Sequence, residues 1–349
     1  MSVRKLTAYA SRLGPSFILR KPALFQAFLY ITHRCNLRCL YCNFPFQETP
    51  ELSTEQWLGV IDQLAELGCC RVTFLGGEPL LREDLPDLLR HARKRRLACV
   101  LSTNGVLVPN MIPVLRMLQT LVISLDAAGP ANDDVRGQGV FEAVERAVIA
   151  AREAQIPVKI NAVLSDKTAS ELTGLVRFME SQDLALTINV VRSGNVDLWL
   201  EARHIKPEDE ETRRLLLDIA ERAEKNPSLL ISPSSCRYAA LWRDYGKDRY
   251  EVGELDPSDP LLRETPACRA GRSYLSINAD GKVYPCVTTM GKIYGGSVSK
   301  LGVEGCWKAL QTHSCVACFS PCLVELNSLF SFNLRVIARF GRRYLKRYS

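Results

Sequence analysis

The sequence lacks any run of about 18 uncharged apolar residues, the length that a membrane-crossing helix needs. Its N-terminus has no long apolar stretch ending in a small-residue cleavage site. Together these absences predict a cytoplasmic protein. Internal repeats and low-complexity tracts are also missing, which argues against a repeat architecture. Acidic residues are absent from both ends. Residues 1–25 carry Arg4, Lys5, Arg12, Arg20 and Lys21, and residues 326–349 carry Arg335, Arg339, Arg342, Arg343, Lys346 and Arg347, with no Asp or Glu in either stretch. The ends hold +11 against a chain total of +7, so the body between them is about −4. Anions are drawn to the termini.

What the chain has in quantity is apolar residues, 47% of 349, and cysteine, thirteen in all. The first supplies a large core. The second needs sorting, because reducing cytosol disfavours structural disulfides and clustered thiols there more often bind metal. Cys35, Cys39 and Cys42 sit within eight residues, and Cys268, Cys286, Cys315, Cys318 and Cys322 lie toward the C-terminus. Cys69, Cys70, Cys99, Cys236 and Cys306 have no metal-site spacing and read as packing residues.

From residue 26 to 191, short β-branched or apolar runs alternate with amphipathic stretches, the pattern of βα units with parallel strands. Strands are expected at 26–32, 71–75, 98–103, 120–125, 157–163 and 184–191. Ser53 caps a helix with Trp57, Val60, Ile61, Leu64 and Leu67 on one face and Gly68 at its end. Another helix is expected over 140–154. Six strands are too few for a closed eight-stranded barrel, so the expected fold is α/β, a partial (β/α)6 TIM barrel, with an open doubly wound sheet as the alternative. The expected organisation is a basic N-terminal extension (1–25), the barrel (26–200), a helical insert and linker (201–265), a β-hairpin-plus-helix cysteine module (266–325) and a basic amphipathic C-terminal helix (326–349).

The first strand runs directly into Cys35-x3-Cys39-x2-Cys42. That spacing lets one loop wrap three corners of an iron–sulfur cubane and leaves the fourth iron open for a substrate or cofactor. A zinc site completed by His33 or a water is the competing reading. With the aromatic Tyr41 before the last cysteine, the motif resembles that of the radical S-adenosylmethionine (SAM) superfamily. The resemblance implies a 4Fe–4S cluster on Cys35, Cys39 and Cys42 that binds SAM. It also implies an electron donor of the flavodoxin or ferredoxin type. The second strand ends in Gly76-Gly77-Glu78-Pro79, similar to the family's GGEP element, which implies that Gly76, Gly77 and Glu78 hold the SAM amino group. Tyr41 in the motif, Thr103, Asn104, Ser124 and Asp126 at later strand ends, and Lys159 and Asn161 on the fifth strand are implied SAM contacts. Asp133-Asp134-Val135-Arg136-Gly137 follows the family pattern with no role assigned.

Cys268-x12-Gly281-x4-Cys286, followed by Cys315-x2-Cys318-x3-Cys322, reads by itself as a closed zinc site. After such a barrel it resembles a SPASM or Twitch domain. That implies an auxiliary 4Fe–4S cluster on Cys268, Cys286, Cys315 and Cys318, with Cys322 able to replace one of them. Leu329, Val336, Ile337, Phe340 and Tyr344 share one face of a C-terminal helix, and its basic opposite face fits peripheral membrane contact or packing on the barrel. Nucleic acid is not expected, because stacking aromatics do not interleave with the basic residues.

The expected function is a radical SAM oxidoreductase or maturase that abstracts hydrogen from a small-molecule or lipid-like substrate. About 25 residues precede the barrel, which leaves no room for a leader-peptide-binding domain. A peptide- or protein-modifying maturase is the alternative. A zinc-dependent nucleic-acid-binding or scaffold protein is the reading from a different class.

Overall fold

The computed structural model describes residues 22–191, 206–331, 333–334 and 336–338. In chain order, the first half alternates strands with helices: β1 Gln26–Thr32, α1 Thr54–Glu66, β2 Arg71–Gly76, α2 Leu85–Lys94, β3 Ala98–Thr103, α3 Ile112–Leu115, β4 Thr120–Ser124, α4 Pro130–Arg136, α5 Val140–Glu153, β5 Val158–Leu164, α6 Leu172–Ser181 and β6 Ala185–Val190. Local signals set the helix ends. Ser53 and Gln56 form a reciprocal capping box at α1, and Gly68 ends it with a φ of 81°. Trp57, Val60, Ile61 and Leu64 are the buried stripe of α1, and Val140, Val144, Ala147, Val148 and Ala151 that of α5.

β1 to β6 lie side by side, all parallel, in the order β6-β5-β4-β3-β2-β1. Alternation sorts their side chains. On β5, Val158, Ile160, Ala162 and Leu164 join the core under the helices, while Lys159, Asn161 and Val163 point to the opposite, inner face and are half-buried. The inner face is therefore the polar one.

The second half comprises α7 Asp209–Lys225, α8 Pro233–Ala240, β7 Arg249–Glu251, α9 Pro260–Glu264, β8 Tyr274–Ile277, β9 Val283–Tyr284, α10 Val298–Ala309, β10 Cys315–Cys318 and α11 Pro321–Phe330. Two findings redraw the expected divisions. The β8–β9 hairpin is not separate from the barrel: β8 pairs in parallel with β1, from Gln26↔Tyr274 to Leu29↔Ile277. And β7, within the stretch read as helical insert, pairs with β10 of the cysteine module.

α11 crosses the expected boundary at residue 325 and contacts both β6 and β8. At its start, the Cys322 thiol meets the carbonyl of Ile188 on β6 at 3.7 Å. At its end, Phe330 packs on Phe25 and Tyr274, and Asn327 accepts from the Tyr274 hydroxyl at 2.9 Å. The helix thus spans from the edge strand β6 to β8 on the far side of the parallel strands. Glu325 on α11 ties down α8 by accepting from Ser232 and, at 2.7 Å, from the Ser235 hydroxyl. Among the described residues no helix is long and apolar enough to cross a membrane. Residues 1–21 of the basic N-terminal extension and Arg335, Arg339, Phe340, Arg342, Arg343, Tyr344, Lys346 and Arg347 of the tail lie outside the described residues.

Candidate active site

Cys35, Cys39 and Cys42 lie on the loop after β1, at the C-terminal end of the parallel strands where such barrels place their chemistry. None is in a disulfide, and all three are partly exposed. Burial raises the Cys35 and Cys39 thiols above their ordinary range and pushes Cys42 up to about 12, with the neighbouring thiols adding to the shift at Cys39 and Cys42. The three groups therefore feel one another's charge, and loading them with metal must release protons.

Two braces fix this loop. The first is the glycine pair. Gly77 N–H donates to Thr32 O and Glu78 N–H donates to Arg34 O, both at 2.8 Å. A Cβ on Gly77 would lie 2.2 Å from Arg34 O, and one on Gly76 would lie 2.3 Å from Thr32 O, so only glycine lets β2 approach the cysteine loop this closely.

The second brace centres on Asp126, which is fully buried. Its carboxylate accepts from Arg136 at 2.7 and 2.9 Å, from the Tyr41 hydroxyl at 2.8 Å and from Val163 N–H at 2.7 Å. Leu40 N–H donates to Val135 O at 2.9 Å, and the Arg136 guanidinium lies over the Tyr41 ring. Asp126 and Tyr41, expected at SAM, thus lock the loop to β4, α4 and β5. Arg136 is the residue whose role sequence pattern left blank: it neutralises Asp126 and is the cation nearest Cys39 in its effect, lowering that thiol against the burial.

Glu78 also differs from expectation. Its carboxylate is enclosed and faces the protein, accepting from Thr103 Oγ1 at 2.8 Å, Leu80 N–H at 3.0 Å and Asn104 N–H at 2.8 Å. It joins the ends of β2 and β3, leaving Asn104 Nδ2 to donate to Asn36 Oδ1 at 2.7 Å beside Cys35. Burial pushes Glu78 up to about 7, against the pull of its three donors. The folded state therefore holds this proton more tightly than the unfolded chain, and the contribution of Glu78 to stability falls as pH rises from about 4.5 to 7. Relative to Glu78→Gln, which does not titrate, the wild-type chain is expected to lose on the order of 3 kcal/mol across that window. Denaturant unfolding of both metal-free chains at pH 5 and pH 8 measures it.

Deeper in the barrel, Ser124 lies in register with Asn161, whose Oδ1 accepts from Thr187 Oγ1 at 3.0 Å. Lys159 sits below them on the same inner face. Burial brings its ammonium down to about 8, with Arg71 acting in the same direction and Cys322 opposing. Ser124, Lys159 and Asn161 therefore share one polar inner face beneath the cysteine loop, with Asn104 beside Cys35 and Thr103 turned instead to Glu78.

His33 is not a spare metal ligand. One ring nitrogen meets Thr49 Oγ1 at 3.1 Å and the other meets Asn278 Oδ1 at 3.0 Å, in the β8–β9 hairpin. Glu51 accepts from Thr32 Oγ1 and from His33 N–H at 2.8 and 2.7 Å, and Arg82 donates to Ile31 O at 2.8 Å. Sequence reasoning missed Glu51, Arg82 and Asn278, since partners up to 245 positions apart leave no local pattern.

The second cysteine set includes both ends of β10, Cys315 and Cys318. Cys268 and Cys315 share a hydrogen bond, which draws Cys268 well below the ordinary thiol range and Cys315 well above it, and the His313 ring also bonds Cys268. Burial first, and then the charges of Cys268, Cys286, Cys318 and Cys315, push the Tyr274 phenol far up, so all four act on it. Cys322 is elsewhere. As the second residue of α11 it turns toward β6 and Lys159, which removes it from the expected ligand set. Cys69, Cys70, Cys99, Cys236 and Cys306 are buried packing residues.

Residues 29–179 match the Radical SAM superfamily profile. A PqqA peptide cyclase of Xanthomonas axonopodis pv. citri is 30% identical over 281 residues, covering 76% of this chain and 68% of that protein. The chain belongs to the radical SAM superfamily. An AdoMet-dependent heme synthase of Methanosarcina barkeri is 28% identical over 268 residues, covering 73% of the chain and 74% of that enzyme. Relatives compared in this way are spanned over 40–74% of their length. Among solved structures, native anSMEcpe with bound AdoMet and Cp18Cys peptide superposes with a TM-score of 0.62 over 92% of the chain and 99% of that structure, at 16% identity, which shows the shared fold.

Superfamily members use a 4Fe–4S cluster and SAM, and the donor chemistry here fits them. Among the described residues no three His, Cys, Asp or Glu side chains converge on a single-ion position. A cubane asks for something different, one thiolate on each iron, and three neighbouring thiols on one loop meet that demand.

Proposed function

We propose that this enzyme cleaves SAM reductively and directs the resulting radical at a peptide. The observation that carries the first part is the three-thiol loop, braced by Asp126–Arg136 and by Gly76–Gly77 over a polar barrel interior. When bound, the cluster and SAM supply the one-electron reduction and a carbon radical that abstracts hydrogen. The protein's part is placement. Cys35, Cys39 and Cys42 would hold three irons, and Asn104, Ser124, Asn161 and Lys159 would orient SAM from below. The Glu78 brace keeps the ends of β2 and β3 in register without itself facing the ligand. α11, which contacts both β6 and β8, would exclude water there. Cys268, Cys286, Cys315 and Cys318 would hold a second cluster with no open corner, which suits electron transfer.

The peptide cyclase matched along three quarters of the chain supports the peptide substrate over the small-molecule or lipid-like one expected from the sequence. The heme synthase, matched over a similar span, favours a tetrapyrrole as the second reading. Deuterium separates them. Short peptides encoded beside the gene, uniformly deuterated, are expected to raise 5′-deoxyadenosine formation and to pass deuterium into it. Transfer from a deuterated tetrapyrrole instead, with none from peptide, would overturn the peptide reading.

A further inference from the structure

A buried arginine stands beside the second cysteine set, paired only with a carboxylate toward the surface, Glu251. Arg249 on β7 is directly opposite Cys318 on β10 in the antiparallel pair, which puts both side chains on one face of the ribbon. Its Nη1 donates to Thr288 O at 3.0 Å, and the Thr288 hydroxyl lies 3.1 Å from the Cys286 thiol. One arginine is therefore linked to two of the four cysteines, to Cys318 by strand pairing and to Cys286 through Thr288. Its residue is 7% exposed. The carboxylate beside it, Glu251, is half-exposed and 3.4 Å away, against 2.7 Å for the Arg136–Asp126 pair. Arg249 Nε has no hydrogen-bond partner, and neither has the buried Oδ2 of the adjacent Asp248, so these two neighbours do not pair.

A buried cation whose partner carboxylate is half-exposed is only partly compensated for its removal from water. Four thiolates around an iron–sulfur cubane carry net negative charge that grows on reduction. From this juxtaposition we propose that Arg249 is a positioning residue for the second cluster, placing a fixed positive charge that favours its reduced state. The inference rests on Cys268, Cys286, Cys315 and Cys318 as ligands. Cluster potentials follow net charge and hydrogen bonding around the sulfurs, so removing the guanidinium makes the cluster harder to reduce, and removing Glu251 makes it easier.

The test uses the full chain carrying Cys35→Ala, Cys39→Ala and Cys42→Ala, reconstituted anaerobically with iron and sulfide so that the second site alone is loaded. Redox titration followed by electron paramagnetic resonance then compares Arg249→Gln, Arg249→Lys and Glu251→Gln. Expected are a several-fold lower reduced-to-oxidised ratio at fixed potential for Arg249→Gln, a smaller change for Arg249→Lys, and a several-fold higher ratio for Glu251→Gln, which carries the test if Arg249→Gln fails to fold. Unchanged ratios, or shifts of the same sign for Arg249→Gln and Glu251→Gln, overturn the role of Arg249 while the ligand set stands. Absence of iron from the triple-alanine parent overturns the ligand set itself.

Discussion

Replacing Arg136 by methionine is expected to destabilise the chain by about 3–5 kcal/mol and to strip iron from the first cysteine set, because it leaves Asp126 as an unpaired buried carboxylate. The size of the effect follows from burial. Asp126 is fully enclosed, and its only cationic hydrogen-bond partner among the described residues is Arg136. The same carboxylate holds Tyr41, one residue before Cys42, and α4 holds the backbone of Leu40, one residue after Cys39. Loss of the ion pair therefore reaches two of the three cysteines through bonded neighbours. Asp126→Asn combined with Arg136→Met removes both charges and is expected to recover part of the stability, the coupling that a double-mutant cycle reports. Denaturant unfolding gives the stability, and iron per chain gives the loading. If Arg136→Met keeps its iron and unfolds as wild type does, the brace is not what positions the loop.

Local rules made the barrel legible. Apolar runs of strand length, the Ser53 capping box and the stripes of α1 and α5 each involve residues close in sequence, and the six strands fall where those patterns put them. What pattern could not reach was the pairing of distant groups. The glycines of Gly76–Gly77 look like ligand-approach positions in sequence, yet their immediate physical need is the backbone of Thr32 to Arg34. Glu78 carries the right charge for an ammonium but is held inward by three donors. Cys322 shares the spacing of a metal knuckle, but Pro321 starts a helix there and turns the thiol to the barrel. The boundary at residue 325 failed for a related reason: α11 belongs equally to the cysteine module and to the barrel it contacts.

The second large effect is expected at Cys39. This residue sits between the other two cysteines on the loop, and its backbone carbonyl accepts from Cys42 N–H at 2.9 Å. Cys39→Ala removes one of three corners while the brace residues and the second cysteine set are untouched. A cubane held by two thiolates has two exposed irons and no defined open one, so binding and cleavage of SAM should fail together. Iron at Cys268, Cys286, Cys315 and Cys318 should remain.

The most direct test is therefore 5′-deoxyadenosine formation. Wild-type chain, purified and reconstituted without oxygen and given SAM and a strong reductant, is expected to be brown, to contain iron and sulfide, and to release 5′-deoxyadenosine, while Cys39→Ala releases only background and keeps the iron of its second site. Continued cleavage of SAM by Cys39→Ala, or a colourless wild-type chain holding zinc in place of iron, would contradict the assignment of Cys35, Cys39 and Cys42 as the site of radical generation.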